Sequence, residues 1–427
     1  MTDGPRITIP DLSLVLLMGP AGSGKTTFAN RHFKPTEILS IEQARAMVAD
    51  DERDQAALDD AFASMSYLAM RRLAAGRTTV IDDRHLAQGT REMLIGLAQE
   101  HHVIPVAVVF HMPESVLLER NRSRGRDGVP AEILMQQTRA FRQMLPGLGR
   151  EGFRHIYEIL SPQEAEAAEV RRQPLWNRRV DDHGPFDIVG DVHGCYDELR
   201  RLLQRLGYLV FRDGDSSTAR HSLEHPTGRK LVFLGDLAGY GPNVAGVLRL
   251  VMDAVDSGMA LAVPGDHDVR MAEWLQGKRH RYPDAHLSLT GESFRSEALG
   301  FLSSTVSHYV LDDGKLVVAH AGMREALQGR GSVQVRQFAV YGERLQDNDA
   351  PPAEPSWPSE YHGSAMVVYG HTPVRRPAWV NRTMNIDTGC VFGGQLTALR
   401  YPERELVAVD ALRAWISPLA QIECCSR

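Results

Sequence analysis

The 427-residue sequence predicts an α/β protein built as two domains. Three observations predict it. The length exceeds what a single hydrophobic core usually serves. The first half alternates apolar strand-like runs with longer helical stretches. The second half is marked by short apolar strands that end in acidic or histidine-bearing turns. With 43% hydrophobic and 24% charged residues, both halves have ordinary globular composition, which excludes wholesale disorder.

In the first half, Leu12 to Met18, Thr78 to Ile81 and Ile104 to Phe110 read as strands, separated by helices of which the first starts at Lys25. This rhythm predicts a parallel sheet covered on both faces. Between the first strand and the first helix stands Gly19-Pro20-Ala21-Gly22-Ser23-Gly24-Lys25-Thr26, which satisfies G-x-x-x-x-G-K-[ST] in the context that gives the pattern its meaning. Residues 1–170 are therefore expected to form a P-loop NTPase-type domain. Gly19, Gly22 and Gly24 let the backbone around Ser23 curl about phosphates, and Lys25 neutralises the β and γ oxygens. Thr26 is the expected Mg²⁺ ligand, with Thr27 beside it, so ATP or another NTP is the expected ligand. Asp82, at the end of a strand, suits either the magnesium shell or acceptor site, or the N-terminus of the next helix. Arg120, Arg122, Arg124 and Arg126 suit a lid over the transferring phosphates, or a solvated basic face.

From Ser161 to Arg179 the sequence turns charged and irregular, and 171–182 is expected to be a linker. The second domain, 183–427, has strands at Phe186 to Val189, Leu231 to Leu234, Leu261 to Val263, Leu316 to Ala319 and Met366 to Tyr369. They lead in order into Gly190-Asp191-Val192-His193-Gly194, Gly235-Asp236, Gly265-Asp266-His267-Asp268, His320-Ala321-Gly322 and Gly370-His371-Thr372. Phosphoesters resist hydrolysis because their anionic oxygens repel a nucleophile, and two divalent metals offset that charge and activate water. Carboxylate and imidazole ligands suit Mn²⁺, Fe or Zn²⁺. Asp236 is the expected bridge, with Asp191 and His193 completing one metal and Asp266, His320 and His371 the other. His267 is expected to protonate the leaving oxygen. The five motifs resemble those of a calcineurin-like metallophosphoesterase α/β sandwich.

The remaining features narrow the classes. A net charge of -6 excludes a broad basic field for nucleic acid. The N-terminus has no charged segment followed by a long apolar run, and no stretch reaches the length of a membrane span, so no membrane partner and a cytoplasmic location are expected. Cys195, Cys390, Cys424 and Cys425 lack zinc-like spacing and read as reduced thiols. Gln346 to Pro358, rich in Asp, Pro and Glu, reads as an exposed loop.

Together the two halves resemble the bacterial polynucleotide kinase-phosphatase family of RNA end-healing enzymes, from the P-loop to Asn385-Ile386-Asp387-Thr388-Gly389-Cys390-Val391-Phe392-Gly393-Gly394. The resemblance implies phosphorylation of polynucleotide 5′-OH ends and removal of 3′-phosphate or 2′,3′-cyclic phosphate, with RNA ends as substrates. It implies Arg45 as an acceptor-side arginine, Arg120 and Arg124 as lid arginines, and Glu42 in the place of an aspartate general base. No nucleotidyl-transferase lysine motif follows Leu399, so a separate RNA ligase is expected, with an RNA methyltransferase and a second copy of the chain as further partners.

The chain departs from that family at several places. Asp82-Asp83-Arg84-His85 stands where it usually has Asp-Ala-Thr-Asn, and Gly235-Asp236-Leu237-Ala238-Gly239-Tyr240-Gly241-Pro242 where it has G-D-x-x-D-R-G-P. Asp266 replaces an asparagine. At Gly239, Tyr240 and Asp266 the formal charge is -1 where the family is neutral, which favours metal over an anionic substrate. Restoring Asp, Arg and Asn there is expected to raise 3′-phosphate hydrolysis. Two other readings stand beside RNA end-healing. One is a small-molecule kinase fused to a dinucleoside polyphosphate hydrolase, since such hydrolases share G-D-x-H-G and G-H-T. The other is a non-catalytic subunit that keeps ATP and metal for structure or regulation.

Overall fold

The computed structural model describes residues 4–85, 87–125, 128–214, 219–278, 291–343 and 355–416. Arg126, Cys424, Cys425 and the 346–354 part of the expected loop lie outside these residues. The chain divides into two compact units, Met1–Leu175 with Arg330–Ser332, and Trp176–Gly329 with Val333–Arg427.

The first unit runs β1 (Arg6–Pro10), β2 (Ser13–Met18), α1 (Lys25–His32), β3 (Ile38–Ser40), α2 (Ile41–Ala49), α3 (Leu58–Ala74), β4 (Thr79–Asp82), α4 (Gln88–Glu100), β5 (Ile104–Phe110), α5 (Glu114–Ser123), α6 (Ala131–Met144), β6 (His155–Ile159), α7 (Pro162–Ala167) and β7 (Glu169–Gln173). Five strands form one parallel sheet in the order β3-β4-β2-β5-β6. Because side chains alternate along a strand, each core strand feeds two faces. Leu14, Leu16 and Met18 join Ile81, Met65 and Leu94 on one side. Val15 and Leu17 join Val80, Phe28 and Leu117 on the other. Both faces of the sheet are thus covered, as the near-continuous apolar strands require.

The segment expected to be a linker is folded in its first part. Arg171 and Arg172 lie in β7, which pairs in parallel with β1. The Arg172 guanidinium forms two hydrogen bonds to the carboxylate of Glu37, at 2.8 and 2.6 Å, and Leu175 is buried in the core. The strand ladder accommodates the backbone, and Glu37 accommodates the charge. That combination is invisible in a run of arginines.

The second unit contains β8 (Arg178–Arg179), β9 (Phe186–Val189), α8 (Tyr196–Leu206), β10 (Leu209–Asp213), β11 (Arg220–Glu224), β12 (Lys230–Phe233), α9 (Val244–Asp256), β13 (Ala260–Ala262), α10 (Asp266–Leu275), α11 (Glu292–Ser304), β14 (His308–Leu311), β15 (Leu316–Ala319), α12 (Val333–Tyr341), α13 (Trp357–Glu360), β16 (Met366–Tyr369), β17 (Trp379–Val380), β18 (Thr383–Asn385), β19 (Gln395–Tyr401) and β20 (Glu405–Asp410). One sheet has the order β13-β12-β9-β19-β20 and the other β17-β18-β16-β15-β14-β8. Ile188, Val232, Leu234 and Leu399 of the first meet Leu316, Val318, Val368 and Met384 of the second in a shared core. Helices α8 and α9 cover the outer face of the first sheet, and α12 and α13 that of the second. Trp357, inside the stretch expected to be an exposed loop, is instead fully buried at the start of α13, its ring packed on Tyr369. Cys195 and Cys390 are buried free thiols, and no described helix is long and apolar enough to cross a membrane.

Arg229 ties the entrance of the first sheet together. Its guanidinium, almost wholly buried, bonds Asp187 in β9, Glu403, and the carbonyls of Phe186 and Tyr401. Removing one member of such a cluster leaves a buried charge uncompensated, which costs about 3–5 kcal/mol. Arg229→Ala is expected to lower the unfolding free energy of this unit by about that amount, measured by urea unfolding of EDTA-treated protein.

Candidate metal centre and phosphate-binding loop

The loop after β2 is closed on itself. Lys25 Nζ donates to the carbonyls of Gly19 at 2.9 Å and Pro20 at 3.1 Å, and α1 begins at Lys25 from Gly24 in a left-handed conformation. Burial lowers the Lys25 pKa to about 8, against the pull of Asp82, Asp83 and Glu42. Asp82 accepts a hydrogen bond from the Thr26 hydroxyl, while α4 does not begin until Gln88. Of its two sequence readings, the place beside the loop threonine is the one the structure supports. Thr26 and Thr27 are exposed on the first turn of α1, and Ser23 is buried within the loop.

Glu42 and Arg45 sit one turn apart on α2. The Ser40 hydroxyl donates to Glu42 Oε2 at 2.9 Å, and the Glu42 charge acts on both Lys25 and Asp82. Arg45 is buried, and its Nε has no hydrogen-bond acceptor. On α5, Arg120 donates to the Gly22 carbonyl at 3.2 Å and so lies over the loop. Arg122 and Arg124 are exposed, and among the described residues no hydrogen bond or ion pair joins them to it. His85, which the sequence marked only as a departure, is buried with its Nδ1 unpartnered, and burial lowers its pKa.

In the second unit, strands of both sheets deliver their terminal residues to one place. Asp236, Asp266, His320 and His371 each present a donor atom, all within 4.8 Å of one another, and His193, Asp236 and His267 form a second such group. Asp236 belongs to both, as expected of a bridging carboxylate. His193 Nε2 lies 3.4 Å from Asp236 Oδ2. His320 Nδ1 faces the Leu234 carbonyl at 3.0 Å, which turns Nε2 toward the carboxylates and to 3.0 Å from His371 Nδ1. Asp191, expected to share a metal with His193, has Oδ2 accepting the His371 N–H at 3.0 Å, and its Oδ1 is buried with no partner. Asp236, His193 and His371 all hold positive φ, at 45°, 46° and 74°, backbone strain of the kind that concentrates at functional sites.

The electrostatics favour cations. Burial, with Asp387 adding repulsion, pushes the Asp191 carboxyl well up, and burial with Asp266 does the same to Asp236. Burial opposes a charge on His320, yet Asp191 and Asp266 outweigh it and lift its pKa to about 9. A field that draws a proton onto a wholly buried imidazole also attracts a divalent cation. With the orphaned Asp191 oxygen and an oxygen and imidazole donor set, these residues fit divalent metals.

Sequence reasoning missed two participants. Asp387 follows β18, is buried, and leaves Oδ2 unpartnered. Its signal was the same strand-then-acid pattern that marked the other motifs. Arg270, one turn along α10, holds Asp266 Oδ2 at 2.9 Å, so the charge added at Asp266 is met locally. His267 packs against the Tyr240 ring at 4.9 Å, and burial lowers its pKa to about 4. Restoring an aspartate at Gly239 is also blocked. A Cβ there would lie 2.9 Å from His193 Cβ and Cγ, and closer still to Nδ1.

The sequence of residues 184–408 matches the profile of the calcineurin-like phosphoesterases. The chain belongs to that family. Residues 14–144, which hold the P-loop, match an AAA domain profile. This phosphoesterase is 38% identical over 244 residues to a bis(5′-nucleosyl)-tetraphosphatase PrpE (asymmetrical) of Anoxybacillus flavithermus, covering 54% of this chain and 96% of that protein. It is 41% identical over 238 residues to the protein of the same name from Bacillus subtilis, covering 53% and 94%.

The crowding at position 239 predicts that Gly239→Ala, which touches no proposed ligand atom covalently, displaces His193 and weakens binding of Mn²⁺ by about tenfold. Calorimetric titration of EDTA-stripped protein checks this; an unchanged affinity would show that His193 moves aside freely.

Proposed function

We propose that the phosphoesterase unit hydrolyses nucleoside polyphosphates of the dinucleoside tetraphosphate class, and that the P-loop unit transfers a nucleotide γ-phosphate to a hydroxyl acceptor. The observation that carries the first half is identity of 38% and above to proteins named for that hydrolysis, over almost their whole length. The altered turn fits the same reading. Tyr240 replaces an arginine suited to a terminal phosphate with an aromatic ring beside His267, which suits a substrate bearing a base at each end.

In this reading Asp236 would contribute to both cations, Asp266, His320 and His371 would hold one, and His193 with Asp191 or His267 would hold the other. Bound divalent metals, of which Mn²⁺ is our choice for this donor set, neutralise the phosphate oxygens and activate water. The His320 bond to the Leu234 carbonyl fixes the imidazole's tautomer, and Arg270 holds Asp266 in place. Neutral His267 is oriented by Tyr240 and His193, ready to accept a hydrogen bond or to take a proton once an anionic substrate raises its basicity.

In the P-loop unit, Lys25, Thr26 and Asp82 handle the phosphates and magnesium, and Arg120 covers them. Glu42 facing Lys25, with buried Arg45 one turn away, favours an acceptor that carries a hydroxyl and an anionic group. A polynucleotide 5′ end is one such acceptor, so RNA end-healing stays as the second reading.

The test supplies diadenosine tetraphosphate, a 3′-phosphate oligonucleotide, and a 5′-OH oligonucleotide with ATP, all with Mn²⁺. Tetraphosphate hydrolysis is expected to be the fastest hydrolytic reaction. His193→Ala and Asp236→Asn should reduce it at least about 100-fold, EDTA should abolish it, and Lys25→Ala should leave it unchanged. Faster release of the 3′-phosphate would replace the first reading by the second.

A further inference from the structure

A second pocket lies at the opposite end of the same sheet from the metal centre. Met366 opens β16 and lines this pocket, while His371 follows the other end of that strand. At about 3.3 Å of rise per residue, the two ends stand roughly 15 Å apart. The cavity has a volume of about 290 Å³ and is lined by Met366, Trp379, Asn381, Arg382 and Arg404. Two hairpin turns build it, one between β17 and β18 and one between β19 and β20. Asn381 and Arg404 hold positive φ there, at 53° and 62°.

The chemistry of the lining is specific. Trp379 is 39% exposed, and the Arg404 guanidinium lies 5.6 Å from its ring centroid. Arg382 spends one nitrogen on the Ser364 carbonyl at 3.2 Å. Among the described residues neither Arg382 nor Arg404 forms an ion pair, although the chain carries more acids than bases. The Asn381 amide nitrogen is anchored to the carbonyls of Pro358 and Ser359, which fixes the orientation of its side-chain carbonyl. An exposed indole, two guanidinium groups without counter-charge and an oriented amide in one concavity form a platform for a flat heteroaromatic ring joined to an anion.

We propose that this pocket binds a nucleoside monophosphate unit, its base stacked on Trp379 and its phosphate between Arg382 and Arg404. The unit can come from a free mononucleotide or from a nucleotide within a strand. The cavity holds one such unit rather than a duplex, and Asn381 offers an acceptor to an exocyclic amine. The proposal is independent of the reaction at the metals, since none of the lining residues is among their ligands.

The test uses the full-length Lys25→Ala chain in EDTA, which removes the phosphate-loop lysine and the metals. Photocrosslinking with 8-azido-AMP is followed by peptide mapping, and equilibrium dialysis measures AMP and a short oligoadenylate. Crosslinks are expected on the peptides bearing Trp379 or Arg404. Trp379→Ala and the double variant Arg382→Ala/Arg404→Ala should each weaken binding about tenfold. Trp379→Phe should restore most of the loss. The more tightly bound of the two probes names the source of the ligand. Crosslinks confined to other peptides, affinities unchanged in both variants, or competition by inorganic phosphate as effective as that by AMP would each overturn the proposal.

Discussion

The second unit depends on confining five carboxylates in one buried place. Asp191, Asp236, Asp266, Asp268 and Asp387 are all buried at the strand ends. Left alone, such a cluster would repel itself apart or neutralise by taking up protons. Main-chain N–H groups counter that repulsion. His371 donates to Asp191, His267 to Asp236, Ala238 and Gly265 to Asp268, and Gly389 to Asp387. The turns are stitched to one another as well, through His193 to Asp236 at 2.6 Å and Gly241 to His193 at 2.7 Å. The tight turns, the positive φ values and the glycines without room for a Cβ all follow from bringing so much negative charge under backbone control.

Much of this was legible in the sequence because the signals are local. A strand followed by Gly-Asp or Gly-His can be read from five residues, and the strands Phe186–Val189, Leu316–Ala319 and Met366–Tyr369 stand where the apolar runs place them. The P-loop was readable for the same reason. What could not be read is set by contacts between distant segments. The lack of space beside Gly239 comes from a histidine 46 positions earlier in the chain, and no property of glycine itself announces it. The folded character of Arg171 and Arg172 depends on Glu37 and on pairing with a strand at the other end of the unit. Charge counting at Asp266 leaves out Arg270 for a similar reason, since the arginine is its neighbour only once α10 forms.

The two units present charge to phosphate and metal differently. In the P-loop unit a lysine folds back on carbonyls of its own loop and loses basicity by burial, so an arriving anion displaces internal hydrogen bonds. In the phosphoesterase unit buried carboxylates focus the attracting charge around His320. The relatives of the second unit are named for hydrolysis of dinucleoside tetraphosphates, and the substrate proposed for this chain rests on that likeness.

The spread of the site along the chain also bears on how it assembles. Its donors run from Asp191 to Asp387 and come from both sheets, so no fragment of the unit offers more than part of the set. Loop closure over such separations is slow compared with local helix formation. Ribosomal synthesis delivers His320, His371 and Asp387 well after Asp191, and until then the early acids have only His193 and His267 beside them. The complete donor set is thus acquired late in folding, and metal binding by it would report on the docking of one sheet against the other rather than on either sheet alone.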